Sequence, residues 1–442
     1  MMTYVTRSIE HKIISYIESD SNEVLLLAGA RQTGKTTLVE NVEFSKPKLI
    51  INLWDEQREI IALRESKTFD EFERVLKTVF GFEPDGSRIL IIDEAQASES
   101  ICKFIMEMHR TWIKQKVILL GSLLANLYQR GMPMPVGRTV EIIVRPLNFR
   151  EFLRFSKKEN YLEYINDIEN IPETIHTLIL DEFRVFMQIG GLPGIVNAYR
   201  MKQDLIMYFE SILNNLYRDA DRFIHPEKDK IGRHAQYGRI VETVMREVAA
   251  HICSPTQNST LLSTDSPAYR TILPLVLEAL NSWHLLYSIR SQAAQLSTKG
   301  YSSKKYLYDT GIANFLLTRL MPVQFGKGDQ VSAMLLENAV LQECVSYSGS
   351  IQAIQSYKSS NKIATELDFA VIKDAARIPL EVKSSLSVKT QTLYQMLDYM
   401  NRFAVENGYV VYTGRYKKEI LHGKNIYFIP PYFIGQLLEK TL

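Results

Sequence analysis

Five short apolar runs punctuate the first 155 residues and restrict what that part of the chain can become: EVLLLAG, KLIINL, SRILIIDE, KVILLGS and TVEIIVR. A strand with one wet face alternates polar and apolar residues, whereas an almost unbroken apolar run suits a strand covered on both faces. Helical spacing fills the intervals between the runs. The pattern predicts an α/β domain with a parallel sheet over residues 1–155. From 156 to 330 the chain reads as mostly helical, with apolar residues three and four apart in stretches such as SPAYRTILPLVLEALNSWHLLYSIR. From 331 to 442 it reads as helix, strands, helix and strands again, a second α/β domain.

The first apolar run leads straight into Gly29, Ala30, Arg31, Gln32, Thr33, Gly34, Lys35, Thr36 and Thr37. Glycine, four residues, then Gly-Lys-Thr between a strand and a helix is the spacing of a phosphate-binding loop. Glycines let the backbone N–H groups curl towards anionic oxygens, and the helix N-terminus adds positive partial charge. Lys35 would reach the β- and γ-phosphates of ATP, and the Thr36 hydroxyl would ligate Mg²⁺. The run RILIIDEAQ supplies what a phosphate loop lacks: Asp93 at a strand end for the Mg²⁺ shell, and Glu94 as general base for water. Another strand ends at Ser122, placed to bond the γ-phosphate or the attacking water, although strands also end in serine for turn reasons alone.

These segments, with GRTVEIIVRPLNFREFL and GGLPGIV, resemble the AAA-type ATPases of bacteria and archaea that carry a C-terminal domain of unknown function. The resemblance runs from Arg7 to beyond Lys383. Its most specific pieces are Gly137, Arg138, Pro146, Leu147, Phe149, Glu151 and Phe152, and the Gly190–Pro193 turn. Ala30 departs from it, since the family usually has proline there, and Gly-Ser-Leu at Ser122 replaces the usual Gly-Ser-Ser. The family tends to keep Gly-Arg at the position of Arg138, which implies an arginine that neutralises charge on the γ-phosphate; Arg130 competes for that role, and a strand-pairing arginine is the plainer alternative. The resemblance also implies a helical lid followed by a winged-helix-like module in the middle region. Lys299, Lys304 and Lys305 would then hold nucleic-acid phosphates, or simply lie on a solvated wing. YDTGI, Asp309–Ile312, matches a family motif whose role the sequence does not give.

The last segment carries a second chemical signal. Glu337 falls on a helix, Asp368 on the strand ELDFAVI, and Glu381 and Lys383 on IPLEVKSS, where residues two apart share a face. Two carboxylates and a lysine converging across a hairpin would hold a divalent metal at Asp368 and Glu381, with Glu337 and Lys383 completing the catalytic set. The order resembles the PD-(D/E)xK nuclease fold; the plainer alternative is a charged, solvated strand face.

Composition narrows the partners. The net charge of +2 over 442 residues does not demand nucleic acid, and residues 331–442 carry 12 basic against 10 acidic side chains. Cys102, Cys253 and Cys344 lack metal-ligand spacing and read as thiols in a reducing compartment. No apolar stretch approaches the roughly 20 residues of a membrane span. The expectation is a soluble, cytoplasmic ATPase with two possible outputs. One is action on nucleic acid, DNA before RNA, through a cutting domain; the other is a switch whose nuclease-like scaffold binds a protein partner or another copy of the chain without cutting.

Overall fold

A computed structural model of the chain describes residues 4–98, 100–124, 137–224, 237–256, 261, 267–293, 303–325, 329–358, 366–374, 376–386, 388 and 390–441. Its contacts form two compact units, Met1–Arg145 with Ser282–His284, and Pro146–Asn281 with Leu285–Leu442. These two units divide near 145, so the segments expected at 156–330 and 331–442 share one compact unit, for a reason found in the second sheet. No helix among the described residues is long and apolar enough to cross a membrane.

The first unit is built on β1 (Val24–Ala28), β2 (Lys48–Asn52), β3 (Ile89–Asp93), β4 (Val117–Leu120) and β5 (Thr139–Ile143). They pair in parallel in the order β2-β3-β4-β1-β5. One face packs on α1 (Glu10–Glu18) and α2 (Lys35–Asn41) through Ile13, Ile17, Leu38 and Val39. The other packs on α3 (Arg58–Glu65), α4 (Phe69–Phe80) and α5 (Ile101–Thr111), where Phe72, Phe104 and Trp112 form an aromatic layer. The central strands β1, β3 and β4 are buried throughout, as their sequences predict. The edges differ: β2 is mostly half-buried and β5 exposes Glu141, because each has a neighbouring strand on one side only.

In the second unit, α6 (Phe149–Phe155) starts from a capping box in which Glu151 N–H donates to Asn148 Oδ1 at 2.9 Å and Asn148 N–H donates to Glu151 Oε2 at 3.1 Å. α7 (Tyr161–Asn166), α8 (Glu173–Ile189), α9 (Pro193–Arg200), α10 (Leu205–Phe223), α11 (Tyr237–Ala250) and α12 (Pro267–Ser282) follow. Phe149 and Phe152 pack on Phe183 and Phe186 of α8, with a T-shaped pair at 4.9 Å. The helix pair expected around α12 falls partly outside the described residues; what is described is one helix leading into the hairpin of β7 (Leu286–Ala293) and β8 (Ser303–Leu307).

The YDTGI motif is explained here. Asp309 is the N-cap of α13 (Thr310–Thr318), its Oδ1 accepting from Ile312 N–H at 3.1 Å, while its Oδ2 accepts from Gly191 N–H at 2.7 Å. Gly191 O in turn accepts from Leu147 N–H at 2.7 Å, and a Cβ on Gly191 would run into the Leu147 carbonyl. Three motifs far apart in sequence therefore meet at one fully buried carboxylate.

The rest of the unit is α14 (Gln330–Ser348), β9 (Ile354–Lys358), β10 (Glu366–Lys373), β11 (Ala376–Lys383), α15 (Thr390–Arg402), β12 (Asn407–Tyr412), β13 (Lys417–Leu421), β14 (Lys424–Ile429) and α16 (Ile434–Thr441). β9, β10 and β11 form an antiparallel meander, α15 crosses over, and β12 lies parallel to β11. With the two-residue β6 (Pro255–Thr256), the described strands make one nine-stranded sheet in the order β13-β14-β12-β11-β10-β9-β7-β8-β6. The parallel pairing of β7 with β9 fuses the middle hairpin to the C-terminal strands, which is why 156–330 and 331–442 are not separate bodies. Lys304 and Lys305, expected on a solvated wing, are buried, because β8 is paired on both sides, with β7 and β6. Lys299 lies outside the described residues.

Candidate functional site

The loop after β1 turns through Gly29 and Gly34, both with positive φ. Gly29 adopts a φ of +142°, and a Cβ there would collide with the Val144 carbonyl, so the loop leaves the sheet only through glycine. Lys35 opens α2, and its Nζ donates to the carbonyl oxygens of Gly29 and Ala30 at 2.9 and 2.8 Å. Burial lowers the Lys35 ammonium to a pKa of about 8, against the opposing pull of Glu94 and Asp93. Thr33 is buried and donates to Ala30 O at 3.0 Å; Arg31 lies over the Trp54 ring at 5.1 Å; Gln32 and Thr37 are exposed. Arg7, which sequence reasoning left unassigned, braces this loop from α1's approach: its guanidinium donates to Thr33 O at 3.1 Å and Arg145 O at 2.8 Å.

The end of β3 meets this loop. Thr36 Oγ1 donates to Asp93 Oδ2 at 2.7 Å, so a hydroxyl and a carboxylate oxygen from separate elements converge on one point. The Glu94 N–H donates to Asp93 Oδ1 at 2.8 Å. Glu94 itself sits in the left-handed region with φ +52°, which turns its side chain out of the strand line. Burial, then the neighbouring Asp93 charge, raise its carboxyl above the ordinary value. Gln96, not singled out from sequence, donates its side-chain amide to Glu94 Oε2, while its own Oε1 is buried without a partner. Ser122, at the end of β4, is buried with its Oγ unpartnered. The hard oxygen pair of Thr36 and Asp93 fits Mg²⁺, which is held by few protein ligands and keeps several waters.

Arg138 is not brought to this site within one chain. Its carbonyl accepts from Val24 N–H at 2.9 Å, at the start of β1, whereas the phosphate loop leaves the other end of that strand, roughly 13 Å further along. Its guanidinium contacts Met106 Sδ at 3.2 Å. Arg130 lies outside the described residues.

In the second unit Glu337 on α14, Asp368 on β10, and Glu381 and Lys383 on β11 do come together. They are not a solvated face: Glu337 and Asp368 are 8% exposed and Glu381 is 2% exposed. Asp368 Oδ2 accepts from Val382 N–H at 2.9 Å, and Lys383 Nζ donates to Glu381 Oε1 at 2.6 Å. Beside them opens a cavity of about 320 Å³, lined in part by Cys253, Glu337, Asp368 and Lys383. Burial and the Asp368 charge raise the carboxyls of both Glu337 and Glu381. Two residues of β8 that sequence reasoning placed elsewhere or missed complete the cluster. Lys304 Nζ lies 3.2 Å from Asp368 Oδ1 and 3.4 Å from Glu337 Oε1, and Tyr306 OH donates to Glu337 Oε1 at 2.6 Å.

This donor set does not fit a divalent metal as it stands. Asp368 and Glu337 already share an ammonium, and Glu381 has its own in Lys383. Glu381 Oε2 is buried and unpartnered, but it is a single oxygen on a carboxylate whose other oxygen already accepts from Lys383.

Residues 21–153 match the family model described as an AAA domain, residues 180–322 a domain of unknown function (DUF8612), and residues 333–432 another domain of unknown function (DUF4143). Two uncharacterized proteins of Methanocaldococcus jannaschii are similar to the chain. One is 25% identical over 346 residues, 77% of this chain and 69% of that protein; the other is 24% identical over 233 residues, 50% and 46% respectively. Among solved structures, the Walker-type ATPase PABY2304 of Pyrococcus abyssi aligns with a TM-score of 0.43 at 17% identity, covering 71% of this chain and 96% of that one. Cdc6p of Pyrobaculum aerophilum aligns at 0.25 and 12% identity, over 72% and 95%. The N-terminal unit thus carries an AAA-type P-loop ATPase domain.

Proposed function

We propose that the chain hydrolyses ATP with Mg²⁺ and passes its nucleotide cycle to a C-terminal domain of nuclease-like architecture, through which it engages nucleic acid. The observation that carries the reading is the convergence of Thr36 Oγ1 and Asp93 Oδ2 at 2.7 Å, with Glu94 next in the chain and Lys35 held on the loop. Lys35 exchanges its two carbonyl partners for β- and γ-phosphate oxygens. Mg²⁺, held by Thr36 and Asp93, would neutralise charge on those oxygens. Glu94 accepts the proton of the attacking water, Gln96 holds the Glu94 carboxylate in place, and the Ser122 hydroxyl is free to bond the γ-phosphate or that water.

Phosphate release measured with and without Mg²⁺, and with and without single- and double-stranded nucleic acid, tests this. The expected result is Mg²⁺-dependent hydrolysis that nucleic acid stimulates; hydrolysis no greater than that of Lys35→Ala would overturn it. Because Glu94 must be unprotonated and its carboxyl is raised, turnover should fall on the acid side at a pH above the ordinary 4.5. A kcat profile whose acid limb lies at or below the ordinary 4.5 would take the base role from Glu94. Arg138 points away from its own phosphate loop. Arg138→Ala should therefore leave a monomeric preparation within about twofold of the parent, and a larger loss confined to concentrations at which chains associate would assign it to a neighbouring subunit.

For the C-terminal domain, the order α14, β9, β10, β11, α15, β12 and the convergence of Glu337, Asp368, Glu381 and Lys383 support the nuclease-like reading. The ammonium of Lys304 on Asp368 and Glu337 favours its non-cutting form, a scaffold that recognises a partner.

A further inference from the structure

Three buried carboxylates in one pocket need cations or protons to offset their repulsion, and β8 brings one cation from outside the C-terminal segment. Lys304 is 5% exposed, and its ammonium bridges Asp368 and Glu337, which belong to different elements. Two residues further on, on the same face of β8, Tyr306 donates to the same Glu337 oxygen that Lys304 approaches. Cys253 lines the same cavity as Glu337 and Asp368. A divalent ion bound between Asp368 and Glu337 would have to share those oxygens with this ammonium at close range, and the two like charges exclude one another.

We propose that Lys304 is the resident cation of the acid cluster, standing where a divalent metal would otherwise sit, so that the native chain takes up no Mg²⁺ or Mn²⁺ there. This goes beyond the ATPase reading and holds whether or not the first unit hydrolyses ATP. The corollary concerns what lies under the lysine: Glu337, Asp368, the orphaned Glu381 Oε2 and the adjoining cavity form a divalent-cation site that one substitution uncovers.

The test uses the full-length chain without nucleotide, titrated with Mn²⁺ while free Mn²⁺ is followed by electron paramagnetic resonance. Wild type should show no uptake that depends on Asp368. Lys304→Met keeps an unbranched side chain, one heavy atom shorter, and removes the charge. It should bind one Mn²⁺ per chain at least about tenfold more tightly than wild type, the equivalent of losing one modest like-charge repulsion. The gain should vanish in Lys304→Met/Asp368→Asn, and Lys304→Arg, which keeps the charge, should stay metal-free. Wild-type uptake that Asp368→Asn abolishes would overturn the proposal, and so would a folded Lys304→Met that binds no more Mn²⁺ than wild type. If Lys304→Met does not fold, Lys304→Met/Glu337→Gln restores the charge count and carries the same expectation. If that also fails to fold, the comparison of wild type with Asp368→Asn decides alone: a shared absence of uptake supports the proposal, and an Asp368-dependent site overturns it.

Discussion

In Glu94→Gln the nucleotide should still bind, and hydrolysis should slow at least about a hundredfold. The substitution keeps the size of the side chain and removes only its ability to take a proton. In Lys35→Ala the order is reversed. The buried ammonium that bonds Gly29 O and Ala30 O is gone, the loop loses the lysine that would turn to the β- and γ-phosphates, and affinity should collapse before any chemistry is reached. Binding of a fluorescent ATP analogue, measured beside single-turnover hydrolysis, separates the two. Equal loss of affinity in both variants would mean that Glu94 contacts the nucleotide in the ground state and is not the base.

Asp309→Ala should destabilise the second unit by about 3 kcal/mol, although it lies in no candidate site. The carboxylate is fully buried and takes the N–H groups of Gly191 and Ile312; alanine leaves both donors unsatisfied and α13 uncapped. The effect depends on pH with a definite sign. Burial raises the Asp309 carboxyl from 3.8 to about 6, so the folded chain holds that proton more tightly than the unfolded one. Its charged form therefore works against folding: the cost is absent below the unfolded value, grows as pH rises through this window, and is complete above about 6. The variant should lose that slope. Thermal unfolding followed by circular dichroism from about pH 4 to 8 checks both parts, and a variant that melts with the parent across the range removes Asp309 from its place at the junction.

The parts of this fold that sequence exposed are those whose chemistry is contiguous. Lys35, Thr36, Asp93 and Glu94 sit at strand ends in short, fixed spacings, and a two-residue period was enough to place Glu381 and Lys383 on one face. What remained hidden depends on pairings between distant segments. Lys304 reaches Asp368 only because β7 pairs with β9, a partnership that no local periodicity encodes. The Asp309 junction joins Leu147, Gly191 and α13, and each motif alone looks like an ordinary turn or cap. Edge position left a trace: β2 (KLIIN) and β5 (TVEII) carry Lys48, Asn52, Thr139 and Glu141, where the central strands are nearly all apolar, and their partial exposure follows from sheet order. The direction in which Gln96 turns its amide is likewise a property of the folded site.

The union of β7 with β9 bears on how this protein can be divided. A fragment beginning at residue 331 would present β9 with a bare backbone edge where β7 had been, an open template for other chains. It would also arrive without Lys304 and Tyr306, leaving Glu337 and Asp368 without their ammonium, free to recruit whatever cation is at hand. Any metal uptake by such a fragment would be a wound response of the truncated sheet. For the same reason, a recombination event that carried off residues 331–442 alone would transplant half a sheet and an unbalanced charge. The hairpin and the C-terminal strands are thus bound to be inherited together.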